Sequence, residues 1–464
     1  MAGIGFRLKG YFSSVSITDR VKGTLFSVIV SCGPWLMTIL TIGCISYFAQ
    51  RRISQHELLV FKSLISYSFA ASLITFGAIE MPLTRYLADK LFLEDKTTFV
   101  QVFNVIMIAA LVFGTIGGWI FFSFFNWGFW TTLSSVLLFP TILSIWLSMI
   151  FLTAAKNYKR IAYGFLLGNL LTFVFSWQMG GMFGLSGFVI GYVTGQMAVA
   201  VILMVSLVIE FGGRQYYSLE FTSYFGRYKS LIFIGLAYYG AIWVDKLIFW
   251  LTPTGQWVEG LFYTNQYYDT AMFLSYLTII PSMTIFFVQV ETNFYVQYSY
   301  FFRSIENKVS LYVLEKSIEG IHESLRSSLM TLFKYQTFIT VIAWYFSAEI
   351  VRYMELPPLM ITVFRYGLIG AYLQAFFMFC NIVLLYFLAE KEVLKNYTIF
   401  FVTNGLFALI SSFGDMKYIG LGYALSSLIT LILSYMALNH RLNRIGVHTF
   451  MEQPMSSKGV LNLS

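Results

Sequence analysis

Twelve apolar stretches follow one another along the chain, at 24–49, 60–81, 99–123, 130–155, 161–179, 185–210, 230–251, 268–290, 330–350, 361–389, 396–413 and 418–439. Most contain the roughly 20 apolar residues that a helix needs to cross the hydrocarbon of a bilayer. In lipid each spanning segment must satisfy its own backbone amides, so the pattern predicts an all-α polytopic membrane protein with 12 transmembrane helices. The composition agrees, since 58% of the residues are hydrophobic and only 11% charged.

The basic residues orient this string. Of the 30 Lys and Arg, four (Arg51, Arg52, Arg352, Lys417) lie in one alternate set of gaps and four (Lys62, Lys246, Lys334, Arg365) lie inside or at the lips of spans. The other 22 fall in the opposite set of gaps and the two terminal segments, which predicts that both termini are cytoplasmic. A net charge of +8 spread over short loops beside helix ends suits anionic lipid headgroups and excludes nucleic acid as the partner. Cys32, Cys44 and Cys380 all fall within spans, where they act as small apolar residues rather than a disulfide framework or a metal site. The basic start and the length of the first span do not fit a cleaved signal peptide, so the first helix is expected to be retained.

The polar, glycine-punctuated segment 211–229 separates six spans from six, giving an N-terminal bundle at 1–210, a cytoplasmic connection at 211–229 and a C-terminal bundle with its tail at 230–464. A shift of 235 residues superposes Ala154 on Ala389, Lys156 on Lys391, Phe165 on Phe400, Asn169 on Asn404, Leu171 on Leu406, Ser176 on Ser411 and Gly187 on Gly422. Six crossings return a chain to its starting side, so the halves read as parallel repeats with a substrate path between them. The outer gaps at 124–129, 180–184 and 414–417 are too short for a folded domain. The larger connections, 82–98 and 291–329, lie on the cytoplasmic side, and within the second Tyr312 to Leu325 has the spacing of an amphipathic helix lying along the interface.

Charge in hydrocarbon is costly, so the ionisable residues retained there are the candidate site. Glu80 and Glu291 each end the second span of their half and read as a matched pair at the cytoplasmic entrance, unless each simply pairs with a base such as Arg85 or Arg303. Asp245 and Lys246 are about 100° apart on a helix, so each is expected to seek a partner elsewhere. Asp269 lies further along the path, and Arg365 is expected to snorkel outward. His56, His322, His440 and His448 all fall outside the spans without metal-ligand spacing, and no glycine loop for phosphate is present. Neither a catalytic constellation nor a metal or other cofactor is therefore expected. Aromatic residues make up 19% of the chain, and rings with polar tips suit the apolar faces and hydroxyls of sugars as well as interfacial packing.

Met1 to Phe6 (MAGIGF), Ser31 to Trp35 (SCGPW), Glu80 to Phe92 (EMPLTRYLADKLF) and above all Tyr268 to Tyr295 (YDTAMFLSYLTIIPSMTIFFVQVETNFY) resemble the PelG family. These are inner-membrane transport proteins of Pel exopolysaccharide systems in biofilm formation. The resemblance implies the two-bundle fold of the flippase superfamily, which includes lipid-linked oligosaccharide flippases and multidrug extruders. It further implies export of an N-acetylgalactosamine-rich polymer made by a PelF-like cytoplasmic glycosyltransferase, together with PelD-like and PelE-like membrane proteins, and regulation by cyclic di-GMP. Lys308 and Lys316, on the longer cytoplasmic connection, are the candidates for docking that glycosyltransferase. A lipid-linked oligosaccharide flippase or cation-coupled extruder is the alternative. A membrane-embedded transferase would require larger outer loops than these.

Overall fold

The computed structural model describes residues 33, 36–155, 158–212 and 217–450, without the side chains of Tyr158, Ile285, Phe287, Val288 and Glu291. The remainder, which includes the start of the first expected span and the C-terminal tail, lies outside the described residues. The chain is helical almost throughout. In order the elements are α1 (Leu36–Ala49), α2 (Gln55–Phe92), α3 (Phe99–Phe122), α4 (Phe129–Ala154), α5 (Tyr158–Phe211), α6 (Thr222–Arg227) and α7 (Lys229–Leu251). A hairpin of β1 (Gln256–Glu259) and β2 (Phe262–Thr264) precedes α8 (Gln266–Leu277), α9 (Ile280–Gln289), α10 (Tyr295–Glu306) and α11 (Leu311–Tyr345). The last elements are α12 (Ser347–Tyr353), α13 (Met360–Tyr386), α14 (Glu390–Ser412), α15 (Leu421–Asn443) and α16 (Ile445–Phe450).

Among the described residues, eight helices are long and apolar enough to cross a membrane. One of them, α5, is two arms folded at Gly184, whose φ of +59° is open to glycine and costly for other residues. The arms then pack very closely: a Cβ on Gly195 would come within 2.2 Å of the Thr172 Cα, and one on Gly168 within 2.3 Å of the Val199 Cγ2. Lipid gives helices no hydrophobic reason to associate, so small residues that let backbones approach, together with buried hydroxyls, hold them together. Ser135, Ser144 and Ser148 of α4 are fully buried and return their hydroxyls to carbonyls one turn back. Large apolar residues instead face outward, among them Ile108, Phe113, Ile116 and Ile120 on one stripe of α3.

Several connections differ from the sequence expectation. The second span does not end at 81: α2 opens on a reciprocal Ser54–Glu57 capping box and continues through Pro82 to Phe92, so the stretch TRYLADKLF is the end of a transmembrane helix. Near its end Lys90 pairs with Asp95 (3.0 Å) and with Glu220 (2.8 Å), pinning Glu220 to the end of α2. Two hydrogen bonds from Thr97, together with the Lys90 ammonium, hold the Asp95 carboxyl down at about 2.

The expected span 268–290 is broken. Pro281 has no N–H to donate and its ring crowds the carbonyl a turn earlier, so α8 stops at Leu277 and α9 begins after a turn at Thr278 and Ile279. A π-helical turn, Val290–Phe294, then leads into α10, so 291–306 is helix rather than loop. The Tyr312 to Leu325 stretch is likewise not a separate interfacial helix. It forms the first turns of the 35-residue α11, because Ser317, Ile321, Leu325, Ser328, Leu332 and Gln336 bury one seam at unbroken helical spacing. α11 packs back on α10, where a Cβ on Gly320 would come within 2.8 Å of the Gln297 Oε1.

Among the described residues three large apolar clusters, and a small one around Ile279, Ala371 and Ala375, organise the packing. One gathers α7 to α15, a second gathers α2 to α5 around Phe99, Phe103 and Phe151, and a third surrounds Phe61, Phe188 and Tyr192 at the other end of α2. Val258 and Phe262 of the hairpin belong to the third cluster, whose other members all lie between Ile42 and Met197.

Candidate functional site

The N-terminal and C-terminal helices meet where α2 packs antiparallel to α7. Gly77 and Gly235 bring the two backbones into contact, since a Cβ on Gly235 would lie 1.9 Å from the Gly77 carbonyl oxygen. One turn on, the Tyr239 hydroxyl donates to the Glu80 Oε2 at 2.9 Å. Among the described residues Glu80 therefore pairs with neither Arg85 nor another base; Arg85 instead pairs with Asp89 at 3.3 Å, one turn along α2, with its guanidinium 5.6 Å from the Tyr228 ring. Tyr238, next to Tyr239, packs on Tyr397 of α14 with ring centroids 5.0 Å apart, so this junction is lined by phenols.

About 9 Å further along α7, by helical rise, sit Asp245 and Lys246. The expectation that they cannot meet is corrected: Lys246 Nζ lies 3.3 Å from Asp245 Oδ1 and donates to the Ile242 carbonyl at 2.8 Å. Side chains on a helix lean toward its N-terminus, and the four-carbon lysine stem follows that lean far enough to pass beside its predecessor. The pair is almost completely buried. The Tyr268 hydroxyl completes it with a 2.6 Å bond to Asp245 Oδ2, and the Tyr276 ring lies 5.0 Å from the ammonium.

Asp269, the next residue after Tyr268, accepts from Trp250 Nε1 at 2.8 Å and from the Thr264 hydroxyl at 3.4 Å, while its Oδ1 is buried without a hydrogen-bond partner. α7 and α8 thus bring Asp245, Lys246 and Asp269 into one polar cluster, and neighbouring Tyr423 donates to Gln374 within the same helical layer. A buried charged group needs such partners, and here aromatic hydroxyls and an indole supply them. Among the described residues no group of three His, Cys, Asp or Glu side chains could hold a metal ion.

The remaining candidates lie apart. Arg365 does not reach freely for the headgroups; its Nε donates to the buried Ser347 hydroxyl at 2.9 Å, with the guanidinium 5.2 Å from the Trp344 ring. Lys308 and Lys316 are exposed, the first at a positive φ that turns the chain between α10 and α11. Glu291 stands on the π-helical turn, but its side chain lies outside the described residues, so its pairing with Glu80 is not among the observed contacts.

Sequence reasoning missed Tyr239, Tyr268 and Trp250, the partners of the acidic groups, and it missed the hairpin. The signal for the hairpin was present in QWVEGLFYT, two short runs of aromatic and β-branched residues on either side of Glu259 and Gly260.

Residues 1–450 match the PelG family, described as an exopolysaccharide exporter (EPS-E). The chain belongs to the PelG family. No curated protein matches its sequence. Solved structures resemble this PelG-family chain in fold alone. An outward-facing MATE multidrug resistance transporter of the MOP superfamily aligns with a TM-score of 0.63 at 12% identity, covering 96% of this chain and 99% of the other. A MOP-superfamily transporter from Pyrococcus furiosus gives 0.60 at 12% identity, with 90% and 96% covered. An inward-facing MATE transporter gives 0.59 at 13%, with 95% and 99% covered. This PelG-family member is a multi-pass membrane protein with the all-helical architecture of those transporters.

Proposed function

We propose that the protein carries a growing exopolysaccharide, Pel-like and N-acetylgalactosamine-rich, across the cytoplasmic membrane along a path between its two six-helix halves. The match to exopolysaccharide exporters over residues 1–450 carries this reading. The phenol-lined junction around Glu80, Tyr238 and Tyr239, with the Asp245, Lys246 and Asp269 cluster further along, supports it as a surface suited to sugar rings and hydroxyls. Glu80 stands on the cytoplasmic side of that path and the Asp245 cluster toward the outside. Glu80→Gln keeps an acceptor for Tyr239 and removes the carboxylate. Polymer in the medium should fall severalfold while the protein stays inserted at its normal level, whereas normal export would remove Glu80 from the path.

In this reading the polymer comes from a PelF-like glycosyltransferase docked on the cytoplasmic surface, with PelD-like and PelE-like proteins in the same complex and cyclic di-GMP controlling it. The exposed turn between α10 and α11, which carries Lys308, together with Lys316 in the first turns of α11, is the docking surface. Reversing both charges to Glu should lower co-purification of the glycosyltransferase without loss of this protein. Undiminished co-purification would exclude these lysines from docking.

A further inference from the structure

The β1–β2 hairpin emerges from the C-terminal end of α7 but is buried in N-terminal elements. Phe262 is fully buried, its ring 4.7 Å from Phe125, 4.9 Å from Tyr67 and 6.1 Å from Phe121. Polar bonds fix both strands to the same side. The Tyr67 hydroxyl donates to the Tyr263 carbonyl at 3.1 Å and accepts from the Tyr263 N–H at 3.0 Å. Trp127 Nε1 donates to the Glu259 carboxylate at 2.8 Å, and His56 Nε2 lies 3.0 Å from the Val258 carbonyl oxygen. Gly260 makes the turn at a φ of +53°, so close to Phe125 that a Cβ there would come within 2.6 Å of the ring.

The contact continues below the hairpin along the same pair of helices. Trp250 of α7 stacks on Tyr67 of α2 at 4.8 Å and 22°, then Gly235 meets Gly77 and Tyr239 bonds Glu80. We propose that the hairpin is a strap that makes the α2–α7 seam a permanent joint of the protein, so that substrate never passes sideways through this seam into lipid. Opening the seam would expose Phe262 and Val258, break the Tyr67–Trp250 stack and leave hydrogen-bonding groups on Tyr263, Glu259 and Val258 unmet, all in one movement. Motion of the halves is then confined to pivoting about the joint, and release takes place along the membrane normal or on the opposite side of the interface. A polymer can leave in this way, whereas a substrate that keeps a lipid tail needs a lateral opening elsewhere. The inference rests on the transport reading above only for what passes; the joint itself is a property of the fold.

Two measurements test it. In a background lacking Cys32, Cys44 and Cys380, Trp127→Cys and Glu259→Cys, whose native side chains touch, are joined by a short cleavable thiol linker in cells that make the polymer. Linked protein should export as much polymer as the same variant unlinked; loss of export on linking, restored by cleaving the linker, would overturn the joint and make the seam a gate. Separately, spin labels at the exposed Gln55 and Gln256 report the distance across the strap in proteoliposomes and in polymer-producing cells. One unchanged distance is expected, and a second, longer population would overturn the proposal whatever the protein carries. If the parent protein exports no polymer, the transport reading fails while this distance still decides the joint.

Discussion

Asp245 and Lys246 are neighbours in sequence and almost wholly buried, and they survive in the core because each satisfies the other. A charged pair out of water repays its desolvation only when the geometry is good and the remaining lone pairs are bonded, which Tyr268 and the Ile242 carbonyl provide. Removing one partner is therefore the costly change. Asp245→Asn should destabilise the protein by about 3–5 kcal/mol, seen as a lowered thermal unfolding midpoint in detergent, while Asp245→Asn combined with Lys246→Met should recover much of the loss. Equal destabilisation of the single and double variants would mean that Asp245 is held by Tyr268 rather than by Lys246. The cost of charge in lipid marked the sequence positions worth inspecting. It did not name their partners, since Tyr, Trp and Ser are abundant and no local spacing distinguishes a packing ring from one that bonds a carboxylate.

At the scale of elements, close helix contacts depend on residues without side chains. Gly77 and Gly235 put two backbones where no Cβ fits, so Gly235→Ala should overpack the seam by about 1–3 kcal/mol. The same substitution at Gly117, where nothing lies within 4 Å, should be neutral or slightly stabilising; thermal unfolding of the two variants side by side checks the difference. Apolar length located the helices well, because spanning segments must be long and self-satisfied. Their ends were less legible. α2 and α11 run past the apolar windows because helical hydrogen bonding does not stop where hydropathy falls, and α8 and α9 divide inside one because of a single proline. The hairpin escaped notice because seven strand residues between two long helices carry little apolar periodicity of their own.

For the whole molecule, the orientation remains an expectation of the charge asymmetry: both termini and the 211–229 connection face the cytoplasm. Single cysteines at Ser218 and Ser456, in the cysteine-free background, should resist a membrane-impermeant thiol reagent in intact cells and react after lysis. Reaction of either before lysis would reverse the orientation and place the hairpin inside.

The sequence by itself determined the solvent and the architecture. Long apolar segments admit only self-bonded helices in lipid, and the stretches around Glu80 and Tyr268 pointed to the PelG family, which the match over 1–450 bears out. The tertiary structure alone decided which polar groups meet. Glu80 finds Tyr239 across 159 residues and Tyr67 finds Tyr263 across 196, so their encounter depends on the relative register and rotation of whole helices. Hydropathy is a property of a segment and can be read locally. A hydrogen bond between distant helices is a property of their packing, fixed by glycine contacts, a proline break and a buried strap, and it exists only once the chain is assembled.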